Sequence, residues 1–140
     1  MYNLSDRIKL IKVKDHSTAA QSAVTSDPVD MRGYAGVVFV TSFSVPAADN
    51  TICASQDPAS GGSYDDLLGS AVVSGTSPDV WLDVVHPRER FVRLEAARGT
   101  SSTLESIWAL VYGPGVEPVD NVDVGVITGE VHLSPPEGTA

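Results

Sequence analysis

Apolar residues in this chain come in short runs, and the densest run predicts the central strand of the fold. Residues 29–45 (VDMRGYAGVVFVTSFSV) have a β-branched and aromatic centre, two glycines near the start, and Pro46 directly after the end. Such residues favour strands, and a continuous apolar run between turn signals is typical of a strand buried on both faces. The pattern therefore predicts one long central strand with Val38 in the core.

Other runs have the two-residue period of strands. In residues 79–85 (DVWLDVV), Val80 and Val84 share one face, and we expect Trp81 on the other face to be covered. Residues 103–112 (TLESIWALVY) predict a single strand with one aromatic-rich face. Further strands are predicted at residues 8–14, at 51–56 (returning antiparallel to the central strand), at 88–97, at 126–133, and at 64–68, where a helical turn is the alternative.

Roughly seven to nine short strands, without a convincing helical period, predict an all-β fold. The architecture is expected to be an antiparallel β-sandwich or a jelly-roll-like barrel. We expect an N-terminal arm or edge strand (1–17), a β-sandwich domain (18–115) and an extended acidic C-terminal tail (116–140). The tail is rich in Pro and Gly, so it is predicted to lie along a partner rather than to pack alone.

Charge narrows the range of partners. The formal net charge is −9, the three lysines all lie within residues 8–14, and no Lys or Arg follows Arg98. Nucleic-acid binding relies on cations, so no nucleic-acid partner is expected. No apolar run approaches the ~20 residues of a membrane span, and the N-terminus lacks the apolar core of a signal peptide. We therefore expect no membrane partner, and we expect the protein to be made in a cytoplasm.

Catalytic motifs are not found. The sequence has no P-loop, G-x-S-x-G elbow, H-E-x-x-H helix or dinucleotide fingerprint. Its single cysteine, Cys53, excludes an intrachain disulfide, and the pair Asp65 and Asp66 lacks the spaced ligands of a calcium loop. We expect no enzymatic activity, no cofactor and no metal, although a triad assembled from distant residues stays open.

Three segments, taken in order, carry a family resemblance. They are residues 29–43 (VDMRGYAGVVFVTSF), 80–102 (VWLDVVHPRERFVRLEAARGTSS) and 109–118 (ALVYGPGVEP). The opening V-D-M-x-G-[FY]-x-G-V, the later L-D-V-x-x-P-R-x-R-[FY]-V-R and the closing Y-G-P resemble small structural proteins of tailed bacteriophages and prophages. Those proteins belong to the head-morphogenesis group, and the resemblance leaves the arm and the tail outside it.

The resemblance implies a non-enzymatic virion protein made in the host cytoplasm. Within that class we expect a capsid decoration (cement) protein on the outer head surface. It would bind the major capsid protein and form a homo-oligomer, with a trimer favoured. The partner-binding residues predicted for this role are Lys9, Lys12, Lys14, Arg88 and Arg90.

Other interpretations stay open. The lysines are also typical of an exposed edge strand, and the arginines are also typical of local ion pairs. The protein could instead be a head–tail connector or another minor virion protein. A carbohydrate-binding β-sandwich is a further alternative, which exposed aromatic side chains would favour.

Overall fold

The computed structural model describes residues 3–121, 127–134 and 136–139, and it confirms the predicted all-β fold. Within these residues there is no α-helix, and a short 3-10 helix, Leu4–Asp6, precedes twelve strands. The strands are β1 (Ile8–Lys14), β2 (Ser17–Ala20), β3 (Val24–Thr25), β4 (Val29–Asp30), β5 (Gly36–Ser42), β6 (Asn50–Asp57), β7 (Asp65–Asp66), β8 (Val72–Val73), β9 (Asp79–Val85), β10 (Phe91–Arg98), β11 (Ser102–Leu104) and β12 (Ile107–Tyr112).

The strands form two main sheets and one small sheet. The first sheet has the order β1-β12-β5-β9, and the second has the order β3-β10-β6-β7, with β4 also beside β10 and β8 also beside β6. β2 and β11 form a separate pair. The two main sheets contribute to one apolar cluster, as in a β-sandwich, and the described strands do not close into a barrel.

Alternate residues of both sheets build this core. Val37 and Phe39 of β5 belong to the same apolar cluster as Ile52 of β6 and Leu94 of β10, and all four side chains have no exposed surface. Burying each one stabilises the fold by roughly 1.5–3 kcal/mol relative to exposure. The alternation that predicted the strands thus also determines which side chains form the core between the two sheets.

The segment 29–45 is not one strand buried on both faces. It contains β4 and β5, which lie in different sheets, because β4 pairs with β10. Along β5, Val37 is buried while Val38 is half-buried and Val40 is 39% exposed on the opposite face. A continuous apolar run has no period, so it cannot separate a doubly buried strand from one whose outer face is apolar. The core position predicted for Val38 is wrong.

The predicted strand at 51–56 is present as β6, but its predicted partner is wrong. β6 pairs with β10, whereas β5 pairs with β9 and β12. Strands adjacent in sequence are neighbours in only about two-thirds of cases. Here the chain crosses from one sheet to the other between β5 and β6.

The predicted strand at 103–112 is two strands. β11 pairs with β2, and β12 pairs with β1 and β5. Between them the chain bends, and the backbone N–H of Glu105 donates to the carbonyl of Ser42 at 2.9 Å. The bend changes the phase of the alternation, so Leu104 and Ile107 are both fully buried. The aromatic-rich face predicted for this segment belongs to β12 alone.

β1 is one edge of the first sheet, and the start of the C-terminal tail covers part of that edge. The side-chain amide of Asn121 accepts from the N–H of Leu10 at 3.0 Å and donates to the carbonyl of Ile8 at 2.7 Å. These are the two hydrogen bonds that a neighbouring strand would make. Nearby, the N–H of Val119 donates to the carbonyl of Asp6 at 2.8 Å. The tail therefore begins by docking on the body of its own chain.

The strand predicted at 126–133 falls partly outside the described residues, since residue 126 is not among them. Residues 127–133 are described and do not form a strand. At residues 64–68, where strand and helical turn were both expected, the structure has the short strand β7.

Candidate functional site

The outer face of the first sheet is apolar although it lies toward solvent. Residues directly opposite each other on neighbouring strands share a face. Trp108, Val40 and Trp81 form one such row across β12, β5 and β9, and they are 38%, 39% and 65% exposed. Leu110 and Val38 lie in the next row. We call these five residues, Val38, Val40, Trp81, Trp108 and Leu110, the tryptophan face.

A tyrosine fixes the edge of this face nearest the β9–β10 loop. The ring of Tyr112 lies over Gly36, where an added Cβ would collide with the ring. Its hydroxyl donates to Asp83 at 2.7 Å, which joins β12 to β9 across β5. Burial, then the hydrogen bond from this hydroxyl to Asp83 and the carboxylate's charge, raise the pKa of Tyr112 to about 12. The absent side chain of Gly36 is what allows this contact.

Negative charge borders the tryptophan face. Asp79 and Asp83 lie two residues to either side of Trp81 on β9, so all three side chains leave the same face of the strand. On the far side of the sheet, Lys12 lies opposite Trp108, but its ammonium group pairs with Asp15 at 2.7 Å. The side of the face around Trp81 is therefore acidic.

The apolar surface continues past the edge of the sheet. A shallow hollow beside Trp81 is lined also by Val72 and Val73 of β8. Val73 is 51% exposed. The expectation that Trp81 is covered is wrong within a single chain, because nothing in the described residues lies over most of its ring.

The three lysines predicted for partner binding do not form one strip. Lys9 lies opposite Val111, whose side chain is in the core, whereas Lys12 lies opposite Trp108 on the outer face. The two side chains therefore leave β1 on opposite faces. The register then shifts before Lys14, at the far end of the strand.

The two predicted arginines lie elsewhere, in the loop between β9 and β10. Arg90 forms a bidentate pair with Asp30, with Nε–Oδ1 at 3.0 Å and Nη2–Oδ2 at 2.8 Å. This pairing holds the pKa of Asp30 at about 2. Arg88 is exposed. The structure thus separates the five predicted residues instead of bringing them together, and their role in partner binding stays a prediction.

Sequence reasoning missed the tryptophan face, although its signal was present. In β5 and β12, residues of both phases of the alternation are apolar, as Val37 and Val38 illustrate. In a two-layer sandwich only one phase can face the core. Two apolar phases on neighbouring strands therefore indicate either a third layer or an exposed apolar face.

One cluster has the composition of a metal site. The ligand atoms of Cys53, Asp66 and Glu95 lie within 4.8 Å of one another. However, Oε1 of Glu95 already accepts from Arg93 at 2.7 Å and from the hydroxyl of Ser55 at 2.9 Å. Burial, together with the neighbouring carboxylates, raises the pKa of the Cys53 thiol, which disfavours the thiolate that metals bind. We assign this cluster to packing between β6, β7 and β10.

A scan against protein-family models and a search of curated proteins found no match to this chain. In the part of the chain that the structure describes, no helix has the length and apolar character needed to cross a lipid bilayer. The structural basis for a function is thus the geometry of the tryptophan face.

Proposed function

We propose that this protein is a non-enzymatic bacteriophage virion protein that decorates the outer head surface and stabilises the capsid. The three resembling segments suggest the class. The observation that carries the proposal is the exposed row of Trp81, Val40 and Trp108 on the outer face of the first sheet. Contiguous exposed apolar surface of this kind marks interaction sites.

The face can supply useful binding energy. A buried tryptophan covers about 200 Å², so Trp81, which is 65% exposed, offers about 130 Å² to a partner. At ~25 cal/mol per Å², covering this side chain gives about 3 kcal/mol before the costs of association. Tryptophan is among the residues that dominate interface energies, so we expect Trp81 to be the main anchor.

The charge around Trp81 indicates what the partner surface carries. Asp79 and Asp83 flank the ring, so a complementary surface has Lys or Arg at its rim. In this arrangement the acidic side of the decoration protein meets a basic region of the major capsid protein. This differs from the contact predicted from the sequence, in which Lys9, Lys12 and Lys14 bind the partner. Oligomerisation, with a trimer favoured, would multiply such contacts through avidity and belongs to the same proposal.

Cosedimentation with shells of the major capsid protein from the same genome tests the proposal. We expect the wild-type protein to saturate the shells at a fixed stoichiometry, and Trp81→Ala to weaken binding by about tenfold or more. Because Trp81 is largely exposed, this variant should lose less than about 1 kcal/mol of folding stability. Leu68→Ala is the matched control, since Leu68 is fully exposed and lies outside the tryptophan face.

Three results would count against the decoration role or against the contact surface assigned to it. Wild-type protein that ignores the shells would remove the decoration role. Equal binding by wild type and Trp81→Ala would keep the role but move the contact away from the tryptophan face. A loss in Leu68→Ala as large as that in Trp81→Ala would indicate non-specific adhesion of exposed apolar residues.

A specific observation also favours carbohydrate binding. An exposed tryptophan offers a flat ring on which a sugar can stack, and Asp79 and Asp83 offer acceptors for sugar hydroxyls beside it. Titration with cello-, malto- and chito-hexaose, followed by tryptophan fluorescence, tests this alternative. A saturable change that Trp81→Ala abolishes, in a protein that does not bind shells, would replace the decoration proposal.

A further inference from the structure

A second surface, at the end of the sandwich where β9 leads into β10, carries positive charge. Residues 31–35, between β4 and β5, and residues 86–90, between β9 and β10, enclose a hollow. Its lining includes Arg32, Tyr34, His86 and Arg88, and we call it the arginine hollow. It is separate from the tryptophan face. β9 carries Trp81 of that face and then leads into residues 86–90 of the hollow.

The two loops are fastened to each other. The N–H of Met31 donates to the carbonyl of Arg90 at 2.7 Å, and the N–H of His86 donates to the carbonyl of Ala35 at 2.7 Å. The bidentate pair between Arg90 and Asp30 adds a side-chain link. The walls of the hollow are therefore set before any ligand arrives, which lowers the entropy cost of binding.

β6 supports the same loop from behind. The side-chain oxygen of Gln56 accepts from the N–H of Arg88 at 3.1 Å and from the N–H of Glu89 at 3.4 Å. His86 holds a left-handed backbone conformation, with φ of 49°. Such a conformation costs a non-glycine residue about 1–2 kcal/mol, and strain of this kind concentrates at binding sites.

The arginines of the hollow are not equally available. Arg90 forms an ion pair with Asp30, and this pair largely neutralises the charge of the Asp30 carboxylate. The side chain of Arg32 is 71% exposed, and its Nη2 lies 4.0 Å from Oδ2 of Asp30. This ion pair is looser than that of Arg90, whose Nη2 lies 2.8 Å from the same oxygen. Arg88 has no side-chain hydrogen bond or ion pair within the described ranges, and Glu89 is the one carboxylate in the lining. Two guanidinium groups thus remain for a ligand, on a protein whose net charge is −9.

We propose that the arginine hollow binds carboxylate groups of an acidic protein segment, with Arg88 and Arg32 as the pairing residues. The guanidinium fork matches a carboxylate with two parallel hydrogen bonds. Nucleic acid requires many neutralising cations, and two arginines on an acidic protein do not supply them. The proposal does not depend on the tryptophan face, because it concerns other residues and a partner of opposite charge, although Arg88 is also among the residues that the sequence predicts to bind a partner.

A fluorescently labelled hexaglutamate peptide, followed by anisotropy at low salt, is the probe. We expect Arg88→Ala and Arg32→Gln each to weaken binding about three- to tenfold, as for partly exposed charged pairs. Arg88→Lys should restore part of the loss, because an ammonium keeps the charge but not the fork. Lys14→Gln is the matched control: it removes one charge at the opposite end of the first sheet and should leave binding unchanged.

Each other outcome contradicts the proposal. Failure of the wild type to bind the peptide would overturn it, and so would equal affinity in Arg88→Ala. A loss in Lys14→Gln as large as that in Arg88→Ala would show that overall charge, and not the hollow, attracts the peptide. Displacement of the peptide by inorganic phosphate at lower concentration than by glutamate would identify a phosphate site instead.

Discussion

Arg98 is a buried charge that holds the small sheet to the second sheet. It lies at the end of β10 and is 4% exposed. Its guanidinium donates to the carbonyl oxygens of Ser22 at 2.8 Å, Thr18 at 2.7 Å and Ser102 at 2.8 Å, and to the hydroxyl of Ser22 at 2.9 Å. Because β2 and β11 contribute two of these carbonyls, one side chain anchors both strands.

Arg98→Met keeps most of the aliphatic length and removes all four hydrogen bonds. A typical intramolecular hydrogen bond contributes about 1 kcal/mol, and a buried carbonyl left unpaired, as that of Ser102 would be, costs about 1–3 kcal/mol. The expected loss in the free energy of unfolding is therefore about 4 kcal/mol. For a domain of this size that corresponds to a fall in Tm of roughly 12 °C.

Urea denaturation followed by tryptophan fluorescence and circular dichroism measures this loss. Arg88→Met is the control, since Arg88 is exposed and its replacement should change stability by less than about 0.5 kcal/mol. Arg98→Lys should recover only part of the loss, because one ammonium cannot reach three carbonyls with the geometry of a planar fork. A loss below about 1 kcal/mol in Arg98→Met would refute the anchoring role.

Three further predictions test other parts of the structure. Val37→Asp buries an unpaired carboxylate and should unfold the domain. Val38→Asp places its charge on the outer face opposite Asp83 and should lower the free energy of unfolding by only about 1–2 kcal/mol. Equal losses of stability in thermal melts would mean that the two faces of β5 are assigned wrongly. The pKa of Asp30 falls from 3.8 to about 2 on folding, so its ion pair stabilises the protein above pH 3.8 and the contribution is lost as the pH falls toward 2. For this exposed pair the effect is about 0.5–1 kcal/mol, and Asp30→Asn should flatten the stability profile in that window; an unchanged slope would contradict the assignment. The pKa of Tyr112 rises from 10.0 to about 12, so the unfolded chain ionises first and stability should fall between those pH values. Tyr112→Phe should remove that part of the fall, and an absorbance titration in which every tyrosine ionises near pH 10 would exclude the contact with Asp83.

The fold class could be predicted because strand periodicity and turn residues are local. The alternation in residues 79–85 predicted the strand and placed Val80 and Val84 together on one face, which in the structure is the buried face. Pairing could not be predicted in the same way, because it depends on which sheet a strand joins after a loop. The crossover between β5 and β6 leaves no periodic signal, so adjacency in sequence suggested a hairpin that is absent.

The candidate sites were harder to predict than the fold. The sequence showed that Lys9 and Lys12 are close along the chain, but a strand places residues an odd number of positions apart on opposite faces. Arg90, which the sequence predicts to bind a partner, pairs in the structure with Asp30, sixty residues earlier in the chain, and no local pattern indicated that contact. Arg32, which received no role from the sequence, reaches the arginine hollow only through the fold.

The amide of Asn121 closes the edge of β1 only because it both accepts and donates hydrogen bonds. Its oxygen accepts a hydrogen bond from the N–H of Leu10, and its nitrogen donates to the carbonyls of Ser5 and Ile8. Spontaneous hydrolysis of this amide, the ageing reaction of asparagine, would replace the nitrogen with oxygen and set a negative charge against two carbonyls. An unpaired strand edge is a template for association between chains. Loss of this amide would therefore uncover part of the β1 edge and favour association between copies of the chain.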